Sequence, residues 1–325
     1  MALVSAHDDI GSNRPAVHHV AASGKPERDA GADLAPPASA GVRRHVPGAI
    51  SPGALIGGAI VLIIVLAAIF APLIAPYDPL AQDLLNLNKG PSAAHLLGAD
   101  HLGRDVFSRL LMGGRTTLLV GIGGTLVAFV LGACCGLTAL ALGRIPEAIV
   151  FGAIDIVRAM PGILLALLLI VAIGAGTGPV LLALGLSYAP HFAYVARAAY
   201  KREAAQDYVR AAGLFGGGRL HVLTLHVLPN VMGGLITQAA IILPRCIVTE
   251  SVLSFLGLGA SPDAPTWGRM VSDASRYLEI APHAILAPVI ALIALTVSLL
   301  LVGDALRTHL DPLRRVKRAV VEVAP

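Results

Sequence analysis

The run GALIGGAIVLIIVLAAIFAPLIA, Gly53 to Ala75, carries no charged residue. As a helix rising 1.5 Å per residue it is long enough to cross a hydrocarbon core about 30 Å thick. Five more apolar runs follow, from about Thr116 to Leu142, Ile154 to Gly174, Pro179 to Tyr200, Val231 to Leu256 and His283 to Val302. The whole chain agrees with them. It is 56% hydrophobic and 14% charged with a mean hydropathy of +0.77, whereas soluble domains carry roughly 25% charged residues. The fold class predicted is all-α, a polytopic membrane protein with six transmembrane helices.

A net charge of +4 and a pI near 9.1 do not point to nucleic acid, because no basic soluble domain is present. The cations collect between the runs, where they set topology. With the N-terminus inside, the inner side holds twelve: Arg43, Arg44, Arg144, Lys201, Arg202, Arg210, Arg219, Arg307, Arg314, Arg315, Lys317 and Arg318. The outer side holds six: Lys89, Arg104, Arg109, Arg115, Arg269 and Arg276. Both termini are therefore expected in the cytoplasm.

Residues 1–46 show no apolar periodicity and read as a disordered cytoplasmic tail. They lack the apolar core of a signal peptide. Ser23, Gly24 and Lys25 fail as a phosphate loop, because His19 and Pro26 stand where Gly and Ser or Thr are needed. Residues 47–315 form the membrane domain, and 316–325 a basic cytoplasmic tail. Cys134, Cys135 and Cys246 lie in apolar runs without ligand spacing and read as small buried residues. Gly53 with Gly57, and Gly132 with Gly136, have the four-residue spacing that lets helix backbones approach. Pro72, Pro161, Pro190 and Pro244 fall in or near spans and can kink them.

One polar segment interrupts this pattern: YVRAAGLFGGGRLHVLTLHVLPN, Tyr208 to Asn230. The fourth span is expected to run on into a polar helix ending near Phe215. Gly216, Gly217 and Gly218 break it. A second short helix starts near Arg219, and Pro229 opens the fifth span as a first-turn proline. Upstream, Val106, Phe107, Leu110 and Leu111 share a helical face, with Asp105 four residues before Arg109. This spacing predicts an amphipathic helix on the outer membrane surface, either anchoring the second span or contacting a soluble partner.

The Tyr208–Asn230 segment resembles the EAA loop of bacterial ABC-importer permeases. Ala211, Ala212, Gly216, His226, Pro229 and Asn230 match that pattern without a gap, and Arg210 stands where it has Glu. LLGADHLGRDVFSRLLMGGRTTLLVG (Leu96–Gly121), ESVLSFLGLGASPDAPTWGRM (Glu250–Met270) and GDALRTHLDP (Gly303–Pro312) resemble stretches of the dipeptide, oligopeptide and nickel permeases. They fit the C-type member of a heterodimeric pair. The resemblance covers about residues 53–315. It implies a permease of an ATP-driven importer for di- or oligopeptides in the bacterial inner membrane. The implied partners are a second homologous permease, two ABC ATPase subunits or domains and an extracytoplasmic solute-binding protein. ATP and Mg²⁺ would sit on the ATPases, with no cofactor on this chain. Arg210, Ala211, Ala212, Gly216, His226, Pro229 and Asn230 would form the ATPase-coupling surface.

Charges inside spans are costly and rarely idle. Asp155 and Arg158, three apart, either pair on one face or snorkel. Arg245 and Glu250 are five apart and point in different directions; both are candidates for the translocation path. Arg245 would attract a cargo carboxylate or bridge to the partner permease. Trp267, the only tryptophan, reads as an interfacial anchor or a gate element. The alternative function is an ion-gradient-driven secondary transporter, which calls for internal repeats and midplane acids. An intramembrane enzyme would need a catalytic constellation; His191 and His226 stand apart from nucleophiles and metal ligands.

Overall fold

The structure, a computed structural model, describes residues 51–214, 218–259 and 264–310. The predicted tails at 1–46 and 316–325 lie outside the described residues. Helix α1 (Pro52–Ile69) starts where Ser51 Oγ accepts from Ala54 N at 3.2 Å, and a short α2 (Ala71–Ile74) follows it. Then come α3 (Val106–Leu142), α4 (Arg144–Ala159), α5 (Gly162–Ile173) and α6 (Thr177–Ala204). The rest comprises α7 (Asp207–Leu214), α8 (Arg219–Val222), a π-helical turn (Leu223–Val227), α9 (Leu228–Phe255), α10 (Trp267–Ser275) and α11 (Pro282–Leu310). Among the described residues five helices are long and apolar enough to cross a membrane: α1, α3, α6, the continuous Leu220–Phe255 helix and α11. A sixth crossing exists if α4 and α5 count as one bent span.

The bundle is centred on α3 against α6, its most extensive helix pair. Lipid tails are as apolar as leucine, so membrane helices associate through close packing of small residues instead of hydrophobic drive. Glycines of α3 supply that packing. A β-carbon at Gly132 would stand 2.2 Å from the Ala189 carbonyl oxygen, and one at Gly136 would stand 3.2 Å from Ala193 Cα. Gly124 takes Leu184 of α6, and Gly121 takes Ile247 of α9. Gly57 meets Ser298 and Leu301 of α11, and Gly53 meets Leu301. Both predicted glycine pairs are helix contacts.

The third predicted span, Ile154–Gly174, is not one helix. α4 and α5 meet at 95°. Pro161 has no N–H and pushes Met160 into extended backbone (φ −89°, ψ 138°). At 12 residues, α5 reaches only about 18 Å at 1.5 Å per residue. Asp155 and Arg158 belong to the amphipathic α4, and they do not pair directly. The Tyr194 hydroxyl donates to Asp155, and the Arg158 guanidinium lies 4.8 Å from the centre of the same ring. α4 buries Phe151 against Leu140 and Ala193. Its Glu147 accepts from Arg197 (2.7 Å) and Lys201 (2.8 Å). Pro190 and Pro244, by contrast, sit inside helices that continue, as does Pro288.

At the end where α3 and α11 begin, the loop before α3 and helix α10 form a polar cap. The predicted surface helix at Val106 is instead the start of the 37-residue α3. Asp105 and Arg109 form no side-chain pair. Asp105 caps α3 by accepting from Ser108 N at 2.7 Å and holds His95 Nδ1 at 2.9 Å. Arg109, almost buried, lies 3.6 Å from Asp100 and 3.2 Å from Asp273 of α10. Asp100 also accepts from the backbone N–H groups of Leu102 and Arg104 and from Arg104 Nε at 2.7 Å. Gly103 (φ +74°) is held so close to Asp83 that no side chain fits there.

Trp267 is no interfacial anchor. It is 3% exposed, packs on Gly113 and Gly114, and its Nε1 donates to the Leu110 carbonyl at 2.8 Å. Cys246 is buried as predicted, but Cys134 and Cys135 lie exposed on the outside of this chain, because both point away from the glycine face of α3.

The glycine face yields a stability prediction. Gly132→Ala should lower the thermal midpoint of the detergent-purified protein, by an overpacking cost of about 1–3 kcal/mol. Gly58→Ala, where a β-carbon meets nothing within 4 Å, should not lower it. Equal midpoints for the two variants would contradict the packing account.

Candidate functional site

The Tyr208–Asn230 segment begins where α6 runs past the bundle. Lys201 and Arg202 occupy its last turn, where cations suit the negative end of the helix dipole. After Ala205 and Gln206 the chain restarts as α7, with Asp207 in the favoured acidic first position. Val209 of α7, 7% exposed, enters the core cluster that contains Leu223, Val227 and Val231. Ala211 and Ala212 are half-buried. Arg210 lies within α7 with its side chain outside the described residues, and Gly216 also falls outside them.

The expected second short helix does not stand apart. α8 passes through the π turn into α9, giving one helix from Leu220 to Phe255. Pro229 stands in the first turn of α9, as expected, but the π turn runs into that turn without a break. A proline inside an α-helix collides with the carbonyl four residues back, here that of Leu225. The π turn widens the backbone just ahead of it, with Leu228 N–H bonded to the Leu223 carbonyl five residues back. Asn230 then uses its side-chain amide at this irregular point. Its Nδ2 donates to the His226 carbonyl (2.9 Å) and to Tyr208 Oη (2.9 Å).

Tyr208 passes the link on. Its hydroxyl donates to Glu203 Oε2 at 2.9 Å, and its ring meets that of His226 edge-on at 6.3 Å. Burial, and then the Glu203 carboxylate, raise the Tyr208 pKa above its ordinary value, so the hydroxyl remains a donor. His226 in turn lies 6.4 Å from His221. One polar joint thus ties the end of α6, helix α7 and the base of α9. His226 and Asn230 were expected here. Glu203 and Tyr208 were not. Tyr208 opens the quoted segment, but only its position under Asn230 shows its use.

Arg245 and Glu250 diverge, as five residues at 100° each require. Arg245 is exposed on the flank of α9. Glu250 is 0% exposed, with Ser254 Oγ donating to it at 2.6 Å and Ser251 Oγ at 3.4 Å. Glu250 is closed off from the surface of this chain. At the opposite end from α7, the cap holds a polar hollow of about 330 Å³ lined by Gln82, His101, Arg104, Arg109, Arg269 and Asp273 among others. Burial lowers the His101 pKa, and the ring stacks on Tyr277 at 4.9 Å.

Residues 124–316 match the family described as the binding-protein-dependent transport system inner membrane component. Residues 51–91 match the N-terminal transmembrane domain of oligopeptide transport permease C. The chain is 38% identical over 266 residues to the dipeptide transport system permease protein of Escherichia coli strain K12, covering 80% of this chain and 89% of the relative. It is 37% identical over 266 residues to the di/tripeptide transport system permease protein of Pseudomonas aeruginosa (80% and 88%). To the glutathione transport system permease protein of Pectobacterium atrosepticum it is 36% identical over 272 residues (83% and 88%). With five or six candidate crossings among the described residues, a matched domain covering more than half its length and relatives aligned along four-fifths of it, the chain belongs to the binding-protein-dependent transport system inner membrane component family, as a permease subunit of an ABC importer.

Proposed function

We propose that this chain forms half of the translocation pathway of an ATP-driven importer for di- or oligopeptides. The joint between α7 and α9 is its coupling surface. The observation that carries the reading is the mechanical continuity from α7, through Asn230 and Tyr208, into a 36-residue helix that bears Arg245 farther along. A displacement of α7 then moves the flank of α9 as one body, the kind of rigid shift that lets a binding event at one face bias a two-state equilibrium. The relatives are named as dipeptide, di/tripeptide and glutathione permeases, which supports peptide cargo.

In this reading the chain does no chemistry itself. Two ABC ATPase subunits bind ATP and Mg²⁺ and grip the surface formed by Arg210, Ala211, Ala212, Gly216, His226, Pro229 and Asn230. A second homologous permease completes the pathway. Both termini and α7 face the cytoplasm, and the polar cap faces an extracytoplasmic solute-binding protein. The arginine-lined hollow of the cap supports that assignment, because it offers charged groups to a soluble partner. Arg245 faces the pathway, and Glu250 stands behind it. Residues 1–46 and 316–325 are accessory.

Liposomes holding the complete complex, its binding protein and a labelled dipeptide test this reading. Uptake should require ATP; uptake driven by an ion gradient without ATP would overturn it. Asn230→Ala removes two hydrogen bonds worth about 1 kcal/mol each. It should lower peptide uptake per ATP hydrolysed by roughly tenfold while hydrolysis continues, and an unchanged ratio would remove the joint from the coupling path. Deleting residues 1–40 should leave uptake within about twofold of the full chain at equal membrane levels, on the expectation that a segment burying little surface contributes little to the fold.

A further inference from the structure

Tyr188, His191 and Tyr194 follow one another at three-residue spacing and form a ridge along α6. Both tyrosines meet a polar group from a neighbouring helix. The Tyr188 hydroxyl is 2.8 Å from Thr249 Oγ1 of α9 and 3.4 Å from the Arg245 carbonyl oxygen. Tyr194 holds Asp155 of α4 and lies under Arg158. Between the two tyrosines, His191 has its ring 5.9 Å from that of Tyr188, and the charges of Arg245 and Arg158 both act on it. His191 Nδ1 is buried, with no side-chain hydrogen-bond partner among the described residues.

The charges on this ridge do not cancel. Asp155 is already engaged by Tyr194. Among the described residues no acid pairs with Arg245, whose side chain is exposed on the chain. A guanidinium facing bare hydrocarbon is costly, and such groups in membrane helices face a cavity or a partner group. The ridge is also suited to a polar, extended guest. Tyr188 and Tyr194 are about 9 Å apart along the helix axis at 1.5 Å per residue, close to the reach of three extended residues. The guanidinium presents a planar fork that matches both oxygens of a carboxylate.

We propose that Arg245, with His191 beside it, receives the free carboxylate of the cargo, so that the permease itself selects for carboxylate-bearing peptides. This inference rests on the importer reading above. It adds a cargo-contacting residue and the chemical group that it takes. The tyrosine hydroxyls, that of Tyr188 backed by the buried Thr249, line the route with groups that both donate and accept hydrogen bonds. They can follow a peptide backbone without preference for its side chains.

The test uses the complete complex in liposomes, with a labelled dipeptide and the same dipeptide as its C-terminal amide. Each is supplied at a concentration saturating the binding protein. Arg245→Gln should lower ATP-dependent uptake of the free dipeptide about tenfold, the scale of one charge-assisted hydrogen bond. It should lower uptake of the amide by less than about twofold. Arg245→Lys should recover roughly half of the loss, because the charge returns without the planar fork. The binding protein is the same in every variant, so its own preference cancels in the ratio of the two cargoes. Equal loss for both cargoes would make Arg245 a bridge to the second permease and overturn the proposal, as would unchanged uptake. If the unaltered complex takes up neither cargo with ATP, the peptide-importer reading falls, and this inference falls with it.

Discussion

The close approach of α3 and α6 is the constraint on which the rest depends. In lipid, two helices gain little by hiding apolar side chains from each other, so contact distance decides. The Ala189 carbonyl occupies the space that a side chain at Gly132 would need. Gly124 and Gly136 extend the same contact along α6, and Gly121 admits α9. With the backbones this near, the side chains of α6 that do not face α3 are held in fixed directions. The ridge of Tyr188, His191 and Tyr194 is one result. On the side that does face α3, Phe192 is buried with its ring edge-on to Phe129 at 5.5 Å.

The same packing explains why equal residues have unequal effects. Pro190 is buried within α6, where neighbours on both sides hold the helix through the missing hydrogen bond. Pro244 frees the Ala240 carbonyl, and Gly303 of α11 packs against that oxygen at a distance where a β-carbon would stand 3.2 Å away. Met160 and Pro161 are exposed, so nothing opposes the break and the chain turns by 95°. The bend places α4, with its mixed charges, against α6. The Glu147 pairs with Arg197 and Lys201 follow from it.

Polar groups gather in three places, each built differently. The cap is a closed network in which Asp100, Arg104, Arg109 and Asp273 satisfy one another. The α7 joint is a short relay whose members are neutral or singly charged and partly exposed, which suits a surface that must move with a partner. The ridge along α6 leaves a cation unanswered among the described residues. A satisfied network holds a shape, whereas an unsatisfied charge in a membrane helix invites a ligand.

Much was legible in the sequence because hydrocarbon thickness imposes a length and a composition that few other structures meet. Gly53–Ala75 alone identifies a spanning helix, and the four-residue glycine spacings identify where helices touch. The order Ala211, Ala212, Gly216, His226, Pro229, Asn230 carries the family resemblance. What the sequence left open is whatever depends on neighbours distant along the chain. Trp267 reads as an interfacial residue until Gly113 and Gly114 of α3 provide a slot for it. Asp105 and Arg109 have helical pairing distance, yet Asp100 and Asp273 compete for the arginine from another direction. A proline predicts a possible kink, but the packing on either side decides whether the helix bends. The sequence by itself thus determined the membrane class, the approximate spans and the family, because these rest on local length, composition and spacing. The tertiary structure alone decided the broken third crossing, the α7–α9 joint and the ridge beside Arg245, because each is a meeting of side chains from different helices.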